Sequence, residues 1–130
     1  MLNFDFFMPT HLVFGPGRLD ELEHTFHLPA GKRAMVVIGA DGAMLKEGYL
    51  ARVQGLLAAR GVATLVCDRI RPNPESAQID EAAARAREKE AAFIVGLGGG
   101  STIDAAKSIA LMARNPGLYW DYVTGGSGGG

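Results

Sequence analysis

The sequence predicts an α/β protein in three layers, with helices covering both faces of a parallel sheet. Three observations predict it. Ala34-Met35-Val36-Val37-Ile38 is a continuous apolar run of strand length, without the polar alternation of a half-exposed strand, as expected of a strand buried on both faces. Largely apolar runs of similar length recur at residues 62–67 and 91–96. Segments of helical period separate and succeed these runs, and strand-helix alternation of this sort builds a parallel sheet.

In chain order, Phe4-Asp5-Phe6-Phe7 and His11-Leu12-Val13-Phe14 flank Met8-Pro9-Thr10 and predict two strands, an antiparallel hairpin at the sheet edge that ends at Gly15-Pro16-Gly17. Leu19, Leu22 and Phe26 give residues 18–27 one apolar helical face, stopped by Pro29-Ala30-Gly31. Residues 34–38 form the first buried strand. A helix over 44–60 comes next, with Leu45, Tyr49, Val53, Leu56 and Leu57 on one side and Gly61 where a helix stop belongs. The second buried strand, 62–67, ends at Cys67. Two prolines in Arg71-Pro72-Asn73-Pro74 exclude helix and ladder alike. An alanine-rich helix over 75–90, a third buried strand over 91–96 and a helix over 101–114 complete the pattern. Beyond Asn115 no period is clear, and five of the last six residues are glycine. Such an ending is expected of a flexible tail or of a cut through a loop, in the front part of something longer.

Composition narrows the function. The chain has 130 residues, 13 Lys+Arg against 14 Asp+Glu and a formal net charge of -1, with no basic face for nucleic acid or an anionic membrane. A single cysteine, Cys67, excludes an internal disulfide framework and an all-cysteine metal site. No apolar run approaches the roughly 20 residues that span a bilayer. The first basic residue is Arg18, so the start does not read as a secretory signal. The expected protein is a soluble cytoplasmic domain.

One turn carries chemistry. In sheets of this class ligands bind at the carboxyl ends of the strands. There, Gly96-Leu97-Gly98-Gly99-Gly100-Ser101-Thr102-Ile103-Asp104 joins a buried strand to a helix. Three successive glycines permit close approach, and their N–H groups with the first helical turn suit a pyrophosphate. Ser101 and Asp104 also stand in an S-x-x-D capping arrangement, which explains both without a ligand. The turn lacks the third glycine of G-x-G-x-x-G and the lysine of a P-loop.

Phe4…Pro9-Thr10-x-x-Val13-Phe14-Gly15-x-Gly17, then Pro72-Asn73-Pro74, then Val95-Gly96-Leu97-Gly98-Gly99-Gly100-Ser101-Thr102-Ile103-Asp104-Ala105-Ala106-Lys107, together resemble the iron-containing (group III) alcohol dehydrogenases. The resemblance runs through essentially the whole chain. It implies a Rossmann-like, dehydroquinate synthase-like amino-terminal domain with an edge hairpin, spanning residues 1–130, followed in the complete enzyme by a helical metal-binding domain. The implied reaction is hydride transfer between NAD(P)(H) and an alcohol/aldehyde or ketone pair, with Fe2+ or another divalent metal held in that second domain. This segment alone is then expected to hold no catalytic and no metal-binding residue. Family roles carry over to Gly98, Gly99, Gly100 and Ser101 at the pyrophosphate, to Asn73 as a cofactor contact and to Asp104 beside the turn. NAD-preferring members have an aspartate just after the first buried strand. Here that place is Gly39 if strand ends are aligned, or Asp41 if residues are counted back from Asn73, and cofactor choice leans to NADP. The resemblance also implies a homodimer through the first strands, over residues 3–15.

Other candidates have plainer accounts. His24 and His27 lack further ligands for zinc, and His11 has no partner visible in the sequence. Cys67 fits an apolar filler better than a thiolate. Lys107 fits a solvated helix lysine as well as a cleft residue, and the charged face around Glu81, Arg85 and Glu88 fits a solvated surface. The cluster Tyr119-Trp120-Asp121-Tyr122 fits packing on the sheet or on another domain. Two rival functions stay open: a stand-alone nucleotide- or phosphate-binding module, and a glycerol or polyol-phosphate dehydrogenase sharing the architecture.

Overall fold

The structure is a computed structural model that describes residues 3–123. Its centre is strand β1, Arg33–Gly39, in which Ala34, Met35, Val36, Val37 and Ile38 are all buried. Strands β2 (Ala63–Ile70) and β3 (Phe93–Gly96) pair with it in parallel on either side, giving the order β2-β1-β3. Val36 stands opposite Val66 on one side and Val95 on the other.

Successive side chains of β1 feed two cores. Ala34, Val36 and Ile38 pack with Leu50, Val53 and Leu57 of helix α2 (Tyr49–Ala59), while Met35 and Val37 pack under helices α3 (Ser76–Glu88) and α4 (Gly100–Arg114). The three layers are thus one strand's alternation read from both faces. Each fully buried Met, Val or Ile side chain contributes about 1.5–3 kcal/mol, which makes β1 the stability centre. Only β1 is buried through its middle five residues: β2 and β3 lie at the sheet's edges and are partly exposed, which corrects the expectation of three buried strands.

The caps explain where the helices stop. Gly61 closes α2 at φ 76, with its own N–H donating to the Ala58 carbonyl and the Val62 N–H to that of Leu57, the paired bonds of a Schellman ending. At the start of α3 the Gln78 Oε1 accepts from the Glu75 N–H at 3.3 Å. The helix expected over 44–60 is two helices, α1 (Ala43–Lys46) and α2, because Gly48 between them is left-handed at φ 80. Leu45 and Tyr49 consequently face outward.

Two expectations fail near the amino terminus. Residues 3–14 form no strand: among the described residues nothing offers them a ladder, and Phe4, Phe6, Phe7 and Phe14 are exposed. A strand's N–H and C=O groups need a partner, and this segment has none among the described residues. The helix expected over 18–27 is a short 3-10 helix, Arg18–Glu23. Leu19 and Leu22, three apart, pack toward α2, which suits a three-residue turn. Arg60 then gathers the Leu22, Glu23 and Thr25 carbonyls, and Phe26 is left outside.

At the other end, the 3-10 helix Tyr119–Tyr122 divides the aromatic cluster. Tyr119 packs beside α3 and α4 and accepts a hydrogen bond from Ser108 at 3.1 Å, whereas Trp120 and Tyr122 are exposed. No described helix is long and apolar enough to cross a membrane.

Candidate functional site

The three strands end side by side, and the turns that leave them meet. β1 runs out at Gly39, which pairs with Ile70 after a register shift, and the Ala40 N–H donates to the Ile70 carbonyl at 2.8 Å. Asp41 then turns the chain: its Oδ1 accepts from the Ala43 N–H at 3.1 Å and starts α1. β3 ends at Gly96, where an added Cβ would lie 2.8 Å from that of Ala106. The absent side chain lets α4 sit directly against the strand end. Gly98 comes next at φ 151, a conformation that favours glycine, and a Cβ there would also meet Thr102 Oγ1 at 3.0 Å.

Residues 39–41, 70–72 and 99–102 line one cleft of about 220 Å³ at these carboxyl ends. A larger cleft of about 670 Å³, between Val13 and Thr25, is apolar and remote from the turn. The smaller one has the chemistry. Gly99 is the N-cap of α4 and supplies no side-chain acceptor to the first helical turn. Gly99 and Gly100 are exposed and line the cleft, and a Cβ at either would meet nothing within 4 Å. That geometry accepts an anion.

The structure therefore brings together Gly39, Asp41, Gly99, Gly100 and Ser101 around one cleft, with Gly98 supporting the turn from behind. It does not bring in the other two candidates. Asn73, left-handed at φ 52, is next in sequence to the lining residue Pro72 but is not itself in the lining. Asp104 is exposed, 3.8 Å from Lys107. The S-x-x-D cap is not formed: Gly99 takes the cap position, so Ser101 is the second residue of α4 and Asp104 points to Lys107 instead.

Two lining residues escaped the motif reading. Thr102 is the one buried polar residue among those described, and Arg71 brings a cation to the cleft. Their only sequence signal was position, one within the glycine motif and the other directly before Pro72-Asn73-Pro74.

The remaining candidates are placed elsewhere. His11 stacks on His27 with ring centroids 3.8 Å apart, so it does have a partner. Burial pushes the Cys67 thiol up from its ordinary value of 9.0, consistent with a packing residue. Among the described residues no three His, Cys, Asp or Glu side chains are grouped to hold a metal ion. The described residues therefore do not fit the divalent metal.

Comparison with known proteins gives a consistent picture. Residues 9–129 match the family described as Iron-containing alcohol dehydrogenase. The chain is 34% identical over 121 residues to the probable NADH-dependent butanol dehydrogenase 2 of Bacillus subtilis, covering 93% of this chain and 30% of that protein. It is 31% identical over 116 residues to the NADPH-dependent butanol dehydrogenase of Clostridium saccharobutylicum, covering 89% and 29%. The crystal structure of NADH-dependent butanol dehydrogenase A from Thermotoga maritima superposes with a TM-score of 0.83 at 31% identity, over 95% of this chain and 31% of that one. The chain thus spans about 30% of the length of the relatives it matches.

Proposed function

The chain belongs to the iron-containing alcohol dehydrogenase family, and we propose that it forms the NAD(P)(H)-binding part of a two-domain oxidoreductase acting on an alcohol/aldehyde or ketone pair. The observation that carries this reading is the convergence of residues 39–41, 70–72 and 99–102 on one cleft, with open backbone at Gly99 and Gly100. The dinucleotide, when bound, supplies the hydride donor or acceptor. The chain's own residues do the holding. N–H groups of the Gly98–Gly99–Gly100 turn and of Ser101 would bind the pyrophosphate, with the amino end of the 15-residue α4 adding favourable potential. Asn73 and Asp104 belong to the reading only as sequence neighbours of lining residues, outside the lining itself.

Cofactor choice turns on Asp41. Gly39 is the last residue of β1, so the first charged side chain after the strand in the cleft is the Asp41 carboxylate. A carboxylate accepts from ribose hydroxyls and repels a 2′-phosphate. That favours NAD(H), against the expected lean to NADP. The match to enzymes about three times longer supports a second domain that supplies the metal ligands and completes the substrate site. The exposed Phe4, Phe6 and Phe14 support a homodimer built on residues 3–15, in which a second copy provides the missing ladder. Use of NAD(P)(H) and a single free cysteine fit the cytoplasm.

Titration calorimetry of the chain with NADH and with ADP-ribose tests the reading. Binding of both at a similar affinity is expected, since the shared pyrophosphate does the anchoring. Absence of binding by either contradicts it.

A further inference from the structure

We propose that Arg71 determines how well this cleft tolerates NADP(H), by offsetting the Asp41 carboxylate; the proposal rests on the dinucleotide reading above. Arg71 and Asp41 line the same cleft of about 220 Å³ from two neighbouring strand ends, β2 and β1. The other cleft-lining residues are uncharged. Arg71 and Asp41 are therefore the charged lining residues that an additional phosphate beside the ribose would meet.

Arg71 is the available one. The nearest arginine in sequence is committed: Arg69 pairs with Glu81 at 3.3 Å. Lys46 is outside the lining and donates to the Asp41 carbonyl oxygen at 3.5 Å. Arg71 has no ion pair or hydrogen bond to any described residue, and it is exposed at the cleft's rim. Pro72 fixes the backbone directly after it, so the guanidinium is carried on a stiff turn. A cation so placed, free of an internal partner, makes charge-assisted contacts to a phosphate dianion at little cost in broken interactions. NAD(H) has no such dianion and depends on Asp41 instead.

The test is a pair of titrations on the 130-residue chain, wild type and Arg71→Gln, with NADH and NADPH as the probes and backbone amide NMR shifts as the readout. Arg71 has no partner to lose among the described residues, so the variant is expected to keep the wild-type circular dichroism. The expected result is a loss of NADPH affinity of about tenfold with NADH changed less than about twofold, the difference shrinking as salt is raised. An equal loss for both cofactors assigns Arg71 to the shared pyrophosphate and overturns the proposal. No loss for either also overturns it, while leaving the cleft reading intact. If wild-type chain binds neither cofactor, the cleft reading fails and the proposal falls with it.

Discussion

Gly99→Val separates a glycine kept for a ligand from one kept for the fold. Gly99 sits at φ -85 and ψ -170, ordinary extended backbone, and an added Cβ meets nothing within 4 Å. The positive φ belongs to Gly98, at 151, where a Cβ would crowd Thr102 at 3.0–3.3 Å. Valine at 99 should therefore cost stability only through a poorer cap, about 1 kcal/mol. Its branched side chain would nevertheless stand in the cleft where a pyrophosphate must approach. Losing two charge-assisted hydrogen bonds corresponds to about 2–4 kcal/mol, or roughly 30- to 1000-fold in Kd. The assay is NADH fluorescence titration of the complete enzyme carrying this segment, with melting followed alongside. Gly98→Ala should show the opposite pattern, a lowered Tm whether or not cofactor is present. Wild-type NADH affinity in a well-folded Gly99→Val protein would refute the phosphate-cradle argument and leave the glycines as packing residues.

Glu90 is left-handed at φ 54 just after α3, where glycine carries no Cβ penalty, so Glu90→Gly should raise stability by about 1 kcal/mol in urea unfolding; a lower midpoint contradicts it. Wild-type chain should sediment as a dimer and Phe6→Glu as a monomer, whereas a monomeric wild type at high concentration rules out association through residues 3–15. The raised Cys67 thiol stays protonated in the folded chain above pH 9.0, where the unfolded thiol ionises. The unfolded state then binds fewer protons, so this contribution to stability is intact below pH 9.0 and declines as pH rises beyond it. Between about pH 8 and about pH 10, on either side of the ordinary thiol value, the urea midpoint should therefore fall less for Cys67→Ala than for wild type, and equal slopes count against the burial argument.

Legibility in the sequence depended on how local the cause was. β1 was readable because five consecutive apolar residues leave no face for solvent, and the stop at Gly61 because the Schellman bonds are made within six residues. Gly48 was not readable: Gly55, seven residues on, sits inside α2 without breaking it, and nothing nearby in the sequence distinguishes the two. The partial exposure of β2 and β3 depends on sheet order, which apolar runs do not encode. For the same reason residues 3–14 look like strands and yet have nothing to pair with among the described residues. In the cleft, the glycine turn is legible from its spacing, but the S-x-x-D pattern does not reveal the cap, because Gly99 adopts the extended cap conformation ahead of Ser101. Arg71 and Thr102 became visible only when the turns after β2 and β3 were seen to meet.

The claim that most depends on measurement is that residues 39–41, 70–72 and 99–102 form one dinucleotide site. Titration of isotope-labelled chain with NADH, monitored by backbone amide shifts, tests it most directly. Saturable shifts are expected for the amides of Gly39, Asp41, Arg71 and Gly98 through Thr102, with a Kd near a millimolar, about -4 kcal/mol, since only part of the site is present. Shifts confined to the apolar cleft between Val13 and Thr25, or no saturable shifts at all, would contradict it.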